Sequence, residues 1–392
     1  MATLTSGLTA TNTYGEEFQV PDYTIKDILS AIPSQCYERR ALESLYYVFR
    51  DIACMVAIGY VANNYIQFLP NKALRFTAWA LYSYVQGLFG TGLWVLAHEC
   101  GHQAFSDYGW LNDLVGWVLH SYWLVPYFSW KFSHGKHHKA TGHMDRDMVF
   151  VPKTRDGFVE SRHAHTLEEI VADSPLATFI GLLSQQLGGW LMYLATNVTG
   201  QPVAESGWGM SHFNPSSAIF ETKDYWYIIL SDIGLLIQGL VLYTWYQKFG
   251  AFNLLVNWLI PYIGVNHWLV FITFLQHSDP KMPHYEASEW NFARGAAATM
   301  DREFGFVGKH IFHDIIETHV LHHYCSRIPF YNAREATEAI KKVMGKHYQY
   351  SDENMWVSLW KSGRWCQFVE GDNGVLMFRN INGNGVAPKK TQ

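Results

Sequence analysis

Long stretches without charged residues are the feature that most constrains the fold of this 392-residue chain. Each stretch is long enough for a helix that crosses a lipid bilayer, which takes about 20 residues. Trp and Tyr, which favour the bilayer interface, are frequent near their ends. Five such stretches in one chain predict a polytopic membrane protein. They cover residues 52–71, 76–98, 174–204, 249–278 and, interrupted only by Asp232, 225–247.

The overall composition agrees with this prediction. Charged residues form only 16% of the chain, whereas about a quarter is usual in soluble domains. The net charge of -5 argues against a nucleic-acid-binding protein, which would carry a strongly basic face. The five cysteines are widely spaced and odd in number, so we expect free thiols.

The charge-free stretches group into two predicted helical hairpins, at about residues 52–97 and 225–276. The turns of these hairpins contain only three of the 29 Lys and Arg residues, which favours cytosolic N- and C-termini. We interpret two ambiguous segments, 174–198 and Leu114–Trp130, as helices that lie in the membrane interface. The predicted fold is therefore all-α, with four transmembrane helices in two hairpins and a cytosolic cap of helices.

The chain divides into three predicted parts. A cytosolic N-terminal segment covers residues 1–48, the main domain covers 49–345, and a cytosolic C-terminal tail covers 346–392. The first part shows no cleavable signal peptide, so the first span is expected to direct membrane insertion. The Lys389-Lys390 pair near the end of the chain is typical of proteins retrieved to the endoplasmic reticulum.

Eight of the 19 histidines form three short clusters. Positions i, i+3 and i+4 of a helix lie on one face, so each cluster presents its imidazoles as a block. A catalytic zinc takes three protein ligands and a structural zinc takes four, so eight histidines suit two ions of higher coordination number. A dinuclear iron centre with open positions for O2 fits this count. The clusters are His98 and His102; His134, His137 and His138; and His319, His322 and His323.

Two other classes of function are open at this point. Residues 98–102 also spell the H-E-x-x-H motif of zinc metalloproteases, in which Glu99 would be the general base. Such a protease would have no use for the six other clustered histidines. A histidine-rich metal transporter would need ionisable residues within its spans, where Asp232 is almost the only one.

The first histidine cluster directly follows the second charge-free stretch. The metal centre is therefore predicted at the cytosolic edge of the bilayer, within reach of an apolar lipid tail. Acid–base side chains cannot attack the unactivated C–H bonds of such a tail, whereas a metal supplied with O2 and electrons can. This location predicts an enzyme that oxidises lipid chains.

The three clusters resemble the histidine boxes of the membrane-bound fatty acid desaturases. The boxes here are HECGH (98–102), HGKHH (134–138) and HVLHH (319–323), and the resemblance covers most of residues 90–345. Within the family the chain resembles the fungal Δ12 branch, and Glu99 is typical of that branch. The resemblance implies a Δ12 desaturase that converts oleoyl chains of membrane lipids to linoleoyl chains with O2 and two electrons. An ω3 or bifunctional Δ12/ω3 desaturase and a fatty acid hydroxylase on the same scaffold are the alternatives.

The resemblance also implies the cofactors, the partners and the location. Two Fe ions would be held by the eight box histidines, and His277 in FLQHSDP is the candidate for a ninth ligand. Electrons would come from NADH through a reductase and a separate cytochrome b5, because the chain lacks the HPGG motif of a fused cytochrome b5 domain. The enzyme would lie in the endoplasmic reticulum membrane and act on phospholipid-bound oleate. We interpret Asp145, Arg146 and Asp147 either as a brace near the site or as a solvated turn.

Overall fold

Helices dominate the computed structural model, which describes residues 7–162, 174–202 and 207–381. Short 3-10 or π-helical turns extend or connect several of the helices. The α-helices are α1 (Ile25–Ala31), α2 (Ala41–Tyr65), α3 (Lys72–Gly101), α4 (Gly109–Tyr122), α5 (Tyr127–Ala140), α6 (Arg155–Ser161), α7 (Pro175–Thr196), α8 (Tyr225–Leu254), α9 (Ile260–His277), α10 (Phe292–Ala296), α11 (Gly305–His310), α12 (His319–Tyr324), α13 (Phe330–Met344) and α14 (Met355–Trp365).

Three small β-sheets accompany the helices, so the expectation of an all-α protein is wrong in this detail. In the three-stranded sheet, β7 lies between β3 and β6 and is antiparallel to both. The strands are β1 (Thr9–Thr11), β2 (Glu17–Gln19), β3 (Pro283–Tyr285), β4 (Asp301–Arg302), β5 (Tyr350–Ser351), β6 (Phe368–Glu370) and β7 (Val375–Arg379).

Two helical runs in the described part of the chain are long and apolar enough to cross a membrane, Ala41–Phe68 and Thr222–His277. The second run is kinked inside α8 at Gly250, whose φ of 79° and ψ of 170° are not helical, and a π-helical turn at Leu255–Leu259 joins α8 to α9. These helices contain three of the four predicted spans. The remaining span lies in α3, which is as long as α8 but falls outside the two candidate runs.

The second predicted hairpin does not form as a packed pair. Helix α9 makes its most extensive contacts with α3 and α7, whereas α8 packs against α4 and α5. Glycines line the contact between α3 and α9, and a Cβ atom at Gly87 would lie 3.5 Å from the Cα of Gly264, which is ordinary van der Waals contact. The first predicted hairpin does form, with α2 packed along α3.

Of the two segments interpreted as interfacial helices, one forms a single helix and the other does not. Residues 175–196 form one helix, α7, which begins with the favourable Ser174 cap and Pro175. Segment Leu114–Trp130 instead contains the end of α4 and the start of α5. Leu124 there has a positive φ of 52°, and Pro126 disfavours a helical conformation at the residue before it.

The segment predicted as a C-terminal tail is folded against the main domain as far as residue 381. Strand β7 pairs with β3, which follows α9 in the chain, and β5 pairs with β4. The N-terminal segment is also packed, since Ile28 of α1 is buried in one cluster with Val320 of α12 and Ile340 of α13. Lys389 and Lys390 lie outside the described residues.

Helix α3 lies at the centre of the helical packing and is almost continuously buried from Gln86 to Cys100. A Cβ atom at Gly92 would lie 2.3 Å from the backbone oxygen of Ile311 and 3.1 Å from a carboxylate oxygen of Asp51. The same Asp51 oxygen is 2.8 Å from Nε2 of His313. Gly92 therefore allows the segment before α12 to pack directly on α3.

We expect Gly92→Ala to destabilise the protein by about 1–3 kcal/mol, because the added methyl group must displace a backbone carbonyl. Gly239→Ala is the matched control in α8, where nothing lies within 4 Å of the added Cβ atom. Alanine is favoured over glycine inside a helix, so the control should be neutral or stabilising. The thermal unfolding midpoint of the detergent-solubilised protein measures both, and equal midpoints would contradict the packing described for α3.

Candidate metal centre

The nine histidines singled out in the sequence lie together at the ends of four helices. His98 is in the last turn of α3, and His102 is its C-cap residue. The second cluster lies in α5, the third lies in the short helix α12, and His277 is the last residue of α9. The spacing within each cluster is helical, as predicted, so the imidazoles of each block face the same way.

Five of the histidines form a first group around one point. Their candidate ligand atoms all lie within 4.8 Å of one another. The Nε2 atom of His134 is 3.1 Å from that of His98 and 3.1 Å from that of His138. Members of this group are His98, His102, His134, His138 and His322.

The other four histidines form a second group beside the first. His137, His277 and His323 each offer a ligand atom within 4.8 Å of the other two. His319 adjoins them, with its Nε2 atom 3.2 Å from that of His277 and 3.0 Å from that of His323. The two groups touch where the rings of His138 and His323 stack at a centroid distance of 4.2 Å.

The geometry of both groups fits metal coordination by imidazole. With metal–nitrogen bonds of about 2.1 Å, two neighbouring ligand nitrogens lie about 3.0–3.4 Å apart, close to the spacings in these groups. The Nε2 atoms of His102 and His322 are buried and have no hydrogen-bond partner among the described residues. A bound ion would satisfy these nitrogens. An all-imidazole donor set suits iron, zinc, copper or nickel.

Burial keeps these imidazoles in the neutral form that binds metals. Desolvation, followed by the charge of neighbouring imidazolium groups, holds the pKa of His134, His138, His322 and His323 well below its usual value. A neutral imidazole already has one unprotonated ring nitrogen, so it can bind an ion without first losing a proton. The site is therefore prepared for a cation at neutral pH.

Polar partners fix the orientation of the second group. Both carboxylate oxygens of Asp147 accept from Nδ1 of His137, at 2.8 and 2.9 Å, which leaves Nε2 free for an ion. The hydroxyl of Thr141 donates to the His137 carbonyl and lies 3.0 Å from Nδ1 of His323. That hydroxyl has one proton, so it accepts from His323 and again leaves Nε2 free.

Helix α12 is held by a further buried carboxylate. Oδ1 of Asp301 accepts from the backbone N–H of Val320 at 2.7 Å, and its other oxygen accepts from the hydroxyl of Tyr348. These contacts join α12 to the C-terminal part of the chain. Sequence reasoning did not identify Asp301 or Thr141, since each acts on a residue far away in the sequence.

The Asp145–Asp147 run resolves into different roles. Asp147 is buried against His137, whereas Asp145 and Arg146 are exposed.

Glu99, which a zinc protease would need as its base, accepts a hydrogen bond from the backbone N–H of Phe330 at 3.1 Å and is thus engaged in the fold. His120 stacks on Trp94 with a centroid distance of 5.0 Å and belongs to neither histidine group.

An apolar cavity of about 390 Å³ leads to the histidines. Imidazoles of both groups, together with Trp94 and Trp130, form its inner wall. Helices α7 and α9 and the segments around Val149 and Val198 form the other walls. No Asp, Glu, Lys or Arg residue in the described ranges lines it. The cavity can therefore hold a hydrocarbon chain against the metal centre.

Comparison with known proteins agrees with this combination of site and cavity. The fatty acid desaturase family model matches residues 76–353. An oleate hydroxylase from Claviceps purpurea is 48% identical over 97% of this chain and 86% of its own length. A Δ12 fatty acid desaturase from Mortierella isabellina is 44% identical over 93% of both chains. An endoplasmic reticulum ω6 fatty acid desaturase from Glycine max is 42% identical over 92% of this chain and 91% of its own.

This chain belongs to the fatty acid desaturase family. It is an oxidoreductase that acts on lipid acyl chains. Its relatives include both desaturases and a hydroxylase, so membership of the family leaves the particular reaction to be proposed.

We expect Asp147→Asn to lower activity and metal affinity about 10- to 100-fold, as loss of a carboxylate behind a ligating histidine usually does. The amide can still face His137, but it carries no charge to fix the ring. Asp145→Asn is the matched control at an exposed position two residues away. Product formation and metal retention in purified protein measure the effect. Equal behaviour of the two variants would contradict the role given to Asp147.

Proposed function

We propose that this protein is a Δ12 fatty acid desaturase that converts lipid-bound oleoyl chains to linoleoyl chains. The observation that carries the proposal is an uncharged apolar cavity that ends at two adjacent groups of imidazoles. A saturated carbon chain has no group for acid–base attack, so a cavity of this kind needs a metal to do chemistry on it. Similarity to Δ12 desaturases favours C12 and C13 as the carbons that react.

The proposed metal ligands are the nine clustered histidines. His98, His102, His134, His138 and His322 would hold one iron, and His137, His277, His319 and His323 would hold the other. Two bound iron ions would supply the activation of O2. In the overall reaction, O2 takes two hydrogen atoms from the chain together with two electrons and two protons, and forms two molecules of water and one double bond.

The protein's own side chains bind, orient and exclude water in this proposal. Asp147 and Thr141 hold two of the ligands in the tautomer whose Nε2 atom is free. Trp94 and Trp130 pack beside the inner histidines and give the reacting carbons an apolar surface. An apolar wall would exclude water from the site and so limit side reactions before the acyl chain is bound.

The proposed setting is the endoplasmic reticulum membrane, with both termini in the cytosol. Helices α2, α3, α8 and α9 would be the four spans, and the histidines would lie at the cytosolic edge of the bilayer. Electrons would arrive from NADH through a reductase and a separate cytochrome b5. The apolar outer surface of these helices supports this arrangement: Phe49, Val56, Leu81, Leu236 and Leu240 are all exposed.

A second candidate reaction is hydroxylation of the same chain. The oleate hydroxylase from Claviceps purpurea is similar to this chain over almost its whole length. Hydroxylation consumes the same O2, electrons and protons, but leaves one oxygen atom on the carbon and releases one molecule of water. The metal ligands alone do not separate the two outcomes, because both use the same oxidant.

Expression in baker's yeast, which makes oleate but no polyunsaturated fatty acids, tests the proposal directly. Gas chromatography of the fatty acids should show new 18:2(9,12). Hydroxyoleate in its place would establish the second candidate, and conversion of fed linoleate alone would make the protein an ω3 desaturase. Both dienoic and trienoic products would make it bifunctional. No new product from a well-expressed protein would contradict the proposed function.

His277→Ala should reduce product at least 100-fold if His277 is the ninth ligand, because the second group would lose one of its four imidazoles. The matched control is His267→Ala on the same helix, whose ring stacks on Trp356 away from the metal centre. We expect the control to keep its activity and iron. Full iron content and activity in His277→Ala would remove this residue from the ligand set.

A further inference from the structure

The mouth of the apolar cavity lies along α7. Several residues that line the cavity are also exposed at the surface, which marks where the cavity opens. Met192 of α7 is 50% exposed and Val198, just beyond the helix, is 59% exposed. Ser184 of α7 and Thr273 of α9 are exposed lining residues as well. The opening therefore runs along the side of the helical bundle, between α7 and α9.

The outer surface of α7 is the surface that a lipid would meet first. Its exposed residues are apolar for almost the whole length of the helix, and seven of them, including Met192, are about half exposed or more. Lysine and arginine are absent from the described lining of the cavity, so the mouth offers no cation for phosphate or carboxylate groups. The exposed apolar residues before Met192 are Leu176, Phe179, Ile180, Leu183, Leu187 and Leu191.

Gly188 lies at the centre of this mouth. Positions 184, 188 and 192 are one turn apart and share a face of α7. A Cβ atom at Gly188 would have nothing within 4 Å, so the backbone there borders open space. At the next residue, Gly189, a Cβ atom would lie 3.6 Å from Val270 of α9, which is ordinary contact. The two helices thus touch at Gly189 and leave a gap over Gly188.

We propose that the acyl chain of a membrane lipid enters the cavity sideways between α7 and α9 and crosses α7 over the bare backbone of Gly188. Gly188 is then a specificity-determining position, because any side chain there occupies space that the acyl chain needs. This inference rests on the proposed function only in taking an acyl chain as the substrate. It applies equally to desaturation and to hydroxylation.

Substitutions of increasing size at position 188 test the proposal. Product formed in yeast, relative to wild type, should fall in the order Gly188→Ala, Gly188→Val, Gly188→Leu, with a loss of at least tenfold for leucine. Iron content and membrane insertion should stay at the wild-type level, because an added Cβ atom at position 188 has nothing within 4 Å. A merely structural effect would lower the iron content together with the product.

Gly181→Leu is the matched control. Gly181 lies two turns earlier on the same face of α7, also has nothing within 4 Å of an added Cβ atom, and does not line the cavity. We expect it to keep product within twofold of wild type. If Gly188→Leu has a lower iron content than the wild type, the test rests on the alanine and valine variants that keep their full iron content.

Two results would overturn the proposal. One is a product level at full iron content that does not change with side-chain size at position 188. The other is an equal loss of product in Gly181→Leu. Failure of the proposed function is separate from these results, since it would show as a wild-type protein that makes no new fatty acid.

Discussion

The structure depends on bringing nine imidazoles to two neighbouring points inside an apolar interior. Neutral imidazoles without partners are costly to bury, because each ring nitrogen that gives up water needs a hydrogen bond or a metal ion. The fold meets this requirement by bringing the histidine-bearing ends of α3, α5 and α9 together with the short helix α12. Contacts far from the histidines serve the same end, such as Gly87 against Gly264 and Gly92 against the Ile311 carbonyl.

The chemistry and the selectivity of this protein reside in different parts of the molecule. The histidine groups and the residues that orient them can hold metal ions, but nothing in them distinguishes one methylene group of an acyl chain from the next. The choice of the acyl-chain carbon that reacts must therefore depend on the cavity, whose walls are mainly apolar side chains and the bare backbone of α7.

Sequence reasoning succeeded where the signal was local. Histidine spacing within a helix is a property of a few consecutive residues, so all three clusters were predicted to act as blocks and they do converge. His277 was singled out only from the resemblance to a family, and the structure brings it to within 3.2 Å of His319. The long helices were also predicted, because their charge-free runs are at least twenty residues long.

Features that depend on distant parts of the chain could not be predicted. To predict that the histidines divide into groups of five and four, one would need to know the relative positions of four helices. Thr141 meets His323 from 182 residues away, and no local pattern marks that pair. The packing of α9 on α3, the break between α4 and α5, and the pairing of β7 with β3 likewise follow from tertiary contacts rather than from periodicity.

The most direct test of this account is the amount and the state of iron in the purified full-length protein. Two irons per chain with the Mössbauer signature of a coupled pair, reduced to about one by loss of His277, are the predicted result. One iron per chain, or zinc in place of iron in an active preparation, would contradict the assignment of the two histidine groups to a dinuclear iron centre.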